Sequence, residues 1–241
     1  ASINNMVDKM MKSSTWHRHF SVSNMDINKN STTVDPEKHY KQLIFYNSLK
    51  DTTFPVLIPI LTHSISENNI TYSILKKELM KGAFGNEYIL KIEDNEHTYT
   101  WFSLVDIGIK EFIKQYKRGI NEKSVDWRFV IDFLTPKFEA IIRDIVLLTG
   151  GVINTADEKG ESLILLDQLL RSPDLLKVFN EDDMMLFKQT FTREGMNIRN
   201  DVAHGFLKPV HYTETKAILI FICILRLNKY SYYELKNNMD K

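Results

Sequence analysis

The stretch Trp127 to Leu148 carries the longest helical period in the chain, with Phe133, Leu134, Phe138, Ile141, Ile142, Ile145 and Leu148 recurring every three or four residues. Residues spaced this way share one side of an α-helix, and the stripe they form is too wide to leave in water. Such a helix must be sheathed by others. A second segment, Ala217 to Leu225, is nearly all apolar between Lys216 and Arg226. It falls far short of the roughly 20 residues that cross a bilayer, so it reads as a buried core helix and no membrane partner is expected. Together the two segments demand a helical bundle.

Weaker periods supply the companions. From Asp35-Pro36, a good helix start, Tyr40, Leu43, Ile44 and Leu49 follow helical spacing towards Phe54. Pro55 and Pro59 then interrupt an apolar segment, which fits a kinked helix or two short pieces equally well. Thr71 to Lys81 and Leu104 to Arg118 (through Ile107, Phe112, Ile113 and Tyr116) are further helices, stopped by Gly82 and Gly119. Leu163 to Leu170, Asp182 to Arg193 and Thr213 to Leu227 follow. Glu181, Asp182 and Asp183 open the middle one of these, where negative charge suits the helix dipole better than it suits a metal. Glu87 to Phe102 alternates around Asp94-Asn95 and fits a hairpin. The fold class expected is mainly α, a helical bundle with an N-terminal helical extension and one small β-hairpin. Its organisation is a polar segment over 1–35, beginning with a short helix, a helical region over 36–122, and a helical domain over 123–241.

At 241 residues and 43% hydrophobic content the chain can bury a real core. Lys+Arg and Asp+Glu balance at 31 each, so global charge announces neither nucleic acid nor membrane. Any basic site must be local, and Gly195 onwards carries a modest positive excess. The single cysteine, Cys223, sits in the apolar run, excludes an internal disulfide and points to a reducing cytoplasm. No secretory signal opens the chain, which begins on Ala rather than Met, so further domains N-terminal to Ala1 are expected.

One short stretch invites chemistry. Residues 195–206 read Gly-Met-Asn-Ile-Arg-Asn-Asp-Val-Ala-His-Gly-Phe, bringing Arg199, Asn200 and His204 close in sequence. Arginine offers a permanent planar fork for phosphate oxygens, and histidine exchanges protons near neutrality. Asn200 and His204 stand at i and i+4 on a shared helix face. The spacing alone is weak, because a shuffled chain of this composition would produce it about 0.2 times. The bland reading is a polar packing cluster in which Asp201 pairs a base and His204 bonds a carbonyl.

The surroundings strengthen the motif. Leu134-Thr135-Pro136-Lys137-Phe138-Glu139 with Arg143-Asp144, then Gly150, Thr155, Leu169-Leu170, Phe179-Asn180-Glu181-Asp182-Asp183 and Leu225-Arg226-Leu227 accompany Arg199-Asn200-Asp201-Val202-Ala203-His204-Gly205. Over about residues 132–230 the chain resembles a HEPN-type helical domain, of a bacterial family marked by an RNxxxHG motif. The resemblance implies a metal-independent endoribonuclease with no cofactor, acting on RNA, and a role as effector of a bacterial defence or toxin system. It implies Arg199 and His204 as catalytic residues: His204 takes the proton of a ribose 2′-hydroxyl, and Arg199 stabilises charge on the phosphoryl oxygens. Asn200 would orient the histidine or bond the phosphate. One histidine is half an acid and base pair, so a homodimer that places two motifs across a twofold axis is expected. His211 is an in-chain alternative acid, although a surface or capping role suits it better.

Asn200, Glu139 and Arg143 are supporting candidates, with Asp144 a weaker one. Glu139 and Arg143 stand at i and i+4, so an intrahelical ion pair is the plain expectation, with a contact to Arg199 or His204 as the functional one. Lys208 and His211 are RNA-binding candidates. His17 and His19 flank Arg18 and are too few for a metal site. Trp101, Trp127, Tyr230, Tyr232 and Tyr233 could stack RNA bases, although most of these rings are expected in the core. The rival to a nuclease is a catalytically inactive HEPN-like module that binds a protein partner or nucleotide.

Overall fold

The computed structural model describes residues 22–25, 31–34, 36–92, 95–157 and 160–230. Strands β1 (Val22–Met25) and β2 (Ser31–Val34) pair antiparallel, Val22 opposite Val34. Helix α1 (Pro36–Ser48) continues through one π-helical turn, Leu49–Thr53, into α2 (Phe54–Ser66). The Phe54 N–H reaches back to the Leu49 carbonyl, five residues away. Pro55 supplies the reason: it has no N–H, and its ring crowds the carbonyl four residues earlier, a conflict that a widened turn relieves.

Helix α3 (Tyr72–Leu79) is capped by Thr71, whose Oγ1 accepts from the Ile74 N–H at 3.3 Å. Strands β3 (Glu87–Ile92) and β4 (Asn95–Thr100) form a hairpin that feeds directly into α4 (Trp101–Ile120), where Thr100 is both the last strand residue and the helix cap. Helix α5 (Arg128–Leu148) follows. A third hairpin, β5 (Asn154–Asp157) with β6 (Gly160–Leu163), leads to the short α6 (Leu166–Leu169) and α7 (Pro173–Val178). Helices α8 (Glu181–Phe191), α9 (Ile198–Ala203) and α10 (Glu214–Leu227) complete the described chain, with a 3-10 turn over Pro209–His211.

Helix α5 is the hub, packed against α4, α9 and α10. Phe138 stacks on Phe191 of α8 with ring centroids 4.0 Å apart, and Phe112 of α4 stacks on Phe221 of α10 at 4.0 Å. The first turn of α8 is bound to the end of α10 by Asp183, whose buried carboxylate accepts from Arg226 and Tyr230 and pairs with Lys229. Burial pushes that carboxyl up, and the Lys229, Tyr230 and Arg226 donors hold it below its usual range. Asp183 is thus a structural clamp. Among the described residues no helix is long and apolar enough to cross a membrane.

The mainly helical class stands, but several expected details differ. Three two-stranded sheets are present among the described residues where one hairpin was expected. The segment 163–170 is split, because Leu163 ends a strand paired to Asn154 and only Leu166–Leu169 is helical. Helix α7 lies in a stretch that shows too few residues for a period. Of the two alternatives for the segment with Pro55 and Pro59, a single helix with Pro59 inside it is found rather than two short pieces. Within 1–35 the described elements are strands; the expected short helix and the cluster of Trp16, His17, Arg18 and His19 lie outside the described residues, as do Tyr232 and Tyr233. Ile107, counted in the apolar stripe of α4, is 57% exposed, and its neighbour Gly108 faces α5 instead.

That glycine sets the approach of the two longest helices. A Cβ at Gly108 would lie 2.4 Å from Leu134 Cδ2 and 2.8 Å from Phe133 Cδ1. Gly108→Ala should therefore destabilise the fold by about 1–3 kcal/mol, although alanine is the better helix former. Urea denaturation would read this as a lowered midpoint, and an unchanged or raised midpoint would show that α4 and α5 tolerate a wider separation.

Candidate functional site

The RNxxxHG stretch folds as a short helix with two irregular ends. Asn197 begins it in the left-handed region, at φ 54°, a conformation that asparagine tolerates better than most residues. At the other end the chain reverses through a paired hydrogen-bond turn. The Gly205 N–H donates to the Val202 carbonyl at 3.1 Å and the Phe206 N–H to the Asp201 carbonyl at 2.8 Å. This is the Schellman pattern, which needs a left-handed residue just past the helix, and Gly205 has φ 64°. The His-Gly pair of the motif is therefore accounted for by helix termination as well as by chemistry.

Arg199 points at α5. Its Nε donates to Glu139 Oε2 at 2.7 Å and its Nη2 to Glu139 Oε1 at 3.2 Å, a two-pronged ion pair. Arg143 Nη2 donates to the same Glu139 Oε1 at 2.6 Å and to the Ile164 carbonyl at 2.8 Å. All three side chains are largely buried: 12% exposed for Glu139, 14% for Arg143 and 19% for Arg199. Burial pushes the Glu139 carboxyl up, but the two guanidiniums outweigh it and hold the group below its usual range. One carboxylate against two guanidiniums leaves the cluster with an excess positive charge.

Asn200 braces the arginine. Arg199 Nη1 donates to Asn200 Oδ1 at 3.0 Å, Asn200 Nδ2 donates to Asn197 Oδ1 at 2.7 Å, and Asn197 Nδ2 reaches Asp201 Oδ1 at 3.4 Å. Asn200, expected to orient His204 or bond a phosphate, is joined here to Arg199 and Asn197. Asn197 is a site residue that sequence reasoning missed. Its signal was available, since it stands one turn before Asn200.

His204 caps the far end of α9, exposed, its ring nearly parallel to that of Phe206 at 5.5 Å and 29°. Five residues along a helix turn the side chain by about 140°, so within one chain Arg199 and His204 leave α9 on different sides. Asp201 is half-buried. Burial pushes its carboxyl up, and Lys216 and His211 oppose the shift, so the base it faces is on α10 and the neighbouring turn. Burial in turn pushes the Lys216 ammonium down.

Two further candidates find their partners here. His211 Nδ1 accepts from the Lys208 N–H at 3.0 Å. His211 thus caps the 3-10 turn, the role preferred for it over that of a general acid. Asp144, offered as a support for the motif, instead accepts from Tyr99 Oη at 2.7 Å and Trp101 Nε1 at 2.8 Å. It ties the β3–β4 hairpin to α5, and burial pushes its carboxyl up despite those donors. Lys208 is exposed beside the turn. Among the described residues no three His, Cys, Asp or Glu side chains converge as a metal-ligand set.

No family model, characterised protein or solved structure matches the chain.

The three-residue ion cluster predicts an order of stabilities. Glu139→Gln strips both guanidiniums of their counter-charge and should cost about 3 kcal/mol at pH 7. Arg199→Met should cost less, because Arg143 still neutralises Glu139. The depressed Glu139 carboxyl contributes stability that is fully present above its ordinary value of 4.5 and lost as pH falls through its folded value. Urea midpoints of the native chain and Glu139→Gln should therefore converge in strong acid, whereas a Glu139→Gln deficit that persisted there would assign the loss to packing.

Proposed function

We propose that the chain is a HEPN-type endoribonuclease domain that cleaves RNA by attack of a ribose 2′-hydroxyl on the adjacent phosphorus. The observation that carries this reading is the placement of a carboxylate-held arginine and an exposed histidine at the two ends of one six-residue helix. Glu139 fixes the guanidinium plane, and three of its five N–H donors are engaged by Glu139 and Asn200. The other two suit a phosphoryl oxygen. The His204 imidazole makes no hydrogen bond with the described residues and stands where a substrate can reach it.

In this reaction His204 accepts the 2′-hydroxyl proton as the 2′-oxygen bonds to phosphorus. The bond from phosphorus to the 5′-oxygen breaks, leaving a 2′,3′-cyclic phosphate. The departing 5′-oxygen takes a proton from a second imidazole. With His211 committed to its turn, a second copy of the chain is the better source of that group. The same pairing resolves the divergence of Arg199 and His204, since the arginine of one copy and the histidine of the other can serve one phosphate. A role as effector of a bacterial defence or toxin system follows from the HEPN likeness.

A binding-only module is the second reading, favoured by one observation: the strongest contacts of Arg199 are internal, to Glu139. An arginine wholly devoted to holding α9 on α5 would leave His204 as a surface residue. The test is cleavage of a mixed RNA pool with EDTA present by the native chain, Arg199→Ala and His204→Ala. His204→Ala should keep the native melting temperature, because its ring is exposed, and lose about 100-fold or more in rate. Arg199→Ala should lose a similar factor. Native product ends should be cyclic phosphate and 5′-hydroxyl. Equal rates for all three chains would remove the nuclease reading.

A further inference from the structure

Phe206 is an aromatic side chain with no evident work in the fold. It is 38% exposed and takes no part in the packed core. Its position is nonetheless fixed: the Phe206 N–H closes the six-residue loop of the turn onto the Asp201 carbonyl, and Gly205, at φ 64°, directs the chain back past the end of α9. The result is a ring held nearly parallel to His204, with centroids 5.5 Å apart. Leu207, the next residue, is buried and anchors the segment. Lys208 follows, exposed, and its ammonium makes no ion pair with the described residues. An apolar π-face, a histidine and a cation are thus presented together.

We propose that Phe206 is a base-stacking platform beside His204, which makes the substrate of this site RNA that is unpaired at the cleavage point. The assignment rests on the RNA-cleaving reading above and adds the class of RNA and the residue that selects it. Stacking on an aromatic side chain requires a base with an open face. A base inside an A-form duplex has both faces covered by its neighbours, and its edges are difficult for side chains to reach, so duplex RNA cannot use the ring. A base laid on Phe206 brings its own ribose and phosphate to the adjacent imidazole, and Lys208 meets the backbone on the following nucleotide. The preference is sequence-tolerant, since every base has a π-face.

Binding is measured with a single-stranded 2′-O-methyl oligonucleotide, which lacks the attacking hydroxyl and reports affinity without cleavage. Phe206→Ala should weaken binding about tenfold, while Phe206→Tyr and Phe206→Trp keep it. One abasic position at the stacked nucleotide should cost the native chain a similar factor and cost Phe206→Ala little. Annealing the complementary strand should abolish the difference between native and Phe206→Ala. Native-like affinity in Phe206→Ala, equal binding of duplex and single strand, or no binding by the native chain would each overturn the proposal. So would a Phe206→Ala chain changed only in oligomeric state by light scattering, which would make the ring a contact between proteins. Phe206-dependent binding together with uncleaved RNA would sink the nuclease reading and leave the stacking platform standing.

Discussion

The Glu139 carboxylate is the point on which the C-terminal half turns. It lies mid-way along α5, the helix against which α4, α9 and α10 pack, and it gathers Arg143 from its own helix and Arg199 from α9. Taking a carboxylate out of water is costly, and only a full set of donors offsets it. The two guanidiniums supply that set. Arg143 also spans to the Ile164 carbonyl, so the same ion cluster fastens the chain that follows the β5–β6 hairpin. Charge is what fixes α9 on the hub, because this helix offers the core only one fully buried side chain, Ile198.

This anchoring divides the labour within a helix too short to be stable alone. Its interior side carries the arginine and the amide chain through Asn200 and Asn197; its exposed end carries His204 and the turn that reverses at Gly205. An arginine used in this way is preorganised, and the same contacts reduce what it can offer a ligand. A second copy of the chain would have to bring its histidine to that partly occupied guanidinium. The open end of α9, by contrast, presents His204, Phe206 and Lys208, all exposed, around the turn at Gly205.

Much of this was legible from local pattern. Helices α4, α5, α8 and α10 follow from apolar periodicity, whereas the starts of α4 and α8 were set by Thr100 and Asn180, whose side chains accept backbone N–H groups ahead of the first periodic residues. The β3–β4 hairpin follows from alternation. Less legible were the short pieces, α6, α7 and the β5–β6 hairpin, which are too brief to show a period. Ile107 was misjudged because a periodic count rewards the large side chain, whereas the close packing of α4 on α5 requires the missing one at Gly108. At the site, Glu139, Arg143, Arg199 and His204 could be singled out by charge and spacing, but the Phe206 ring could not, since nothing in the sequence says that this phenylalanine stays out of the core.

By itself the sequence determined a helical bundle around two apolar segments, the ends of its longer helices, and a short stretch rich in groups able to handle phosphate and protons. These are properties of short runs of neighbouring residues, and local sterics and burial suffice to specify them. Tertiary structure alone decided which partner each group meets. Arg199 finds Glu139 across 60 residues of chain, Asp144 turns to Tyr99 and Trp101, and His211 spends its lone pair on the Lys208 N–H. Such pairings depend on which helices adjoin and at what rotation, and that is set by the packing of whole surfaces.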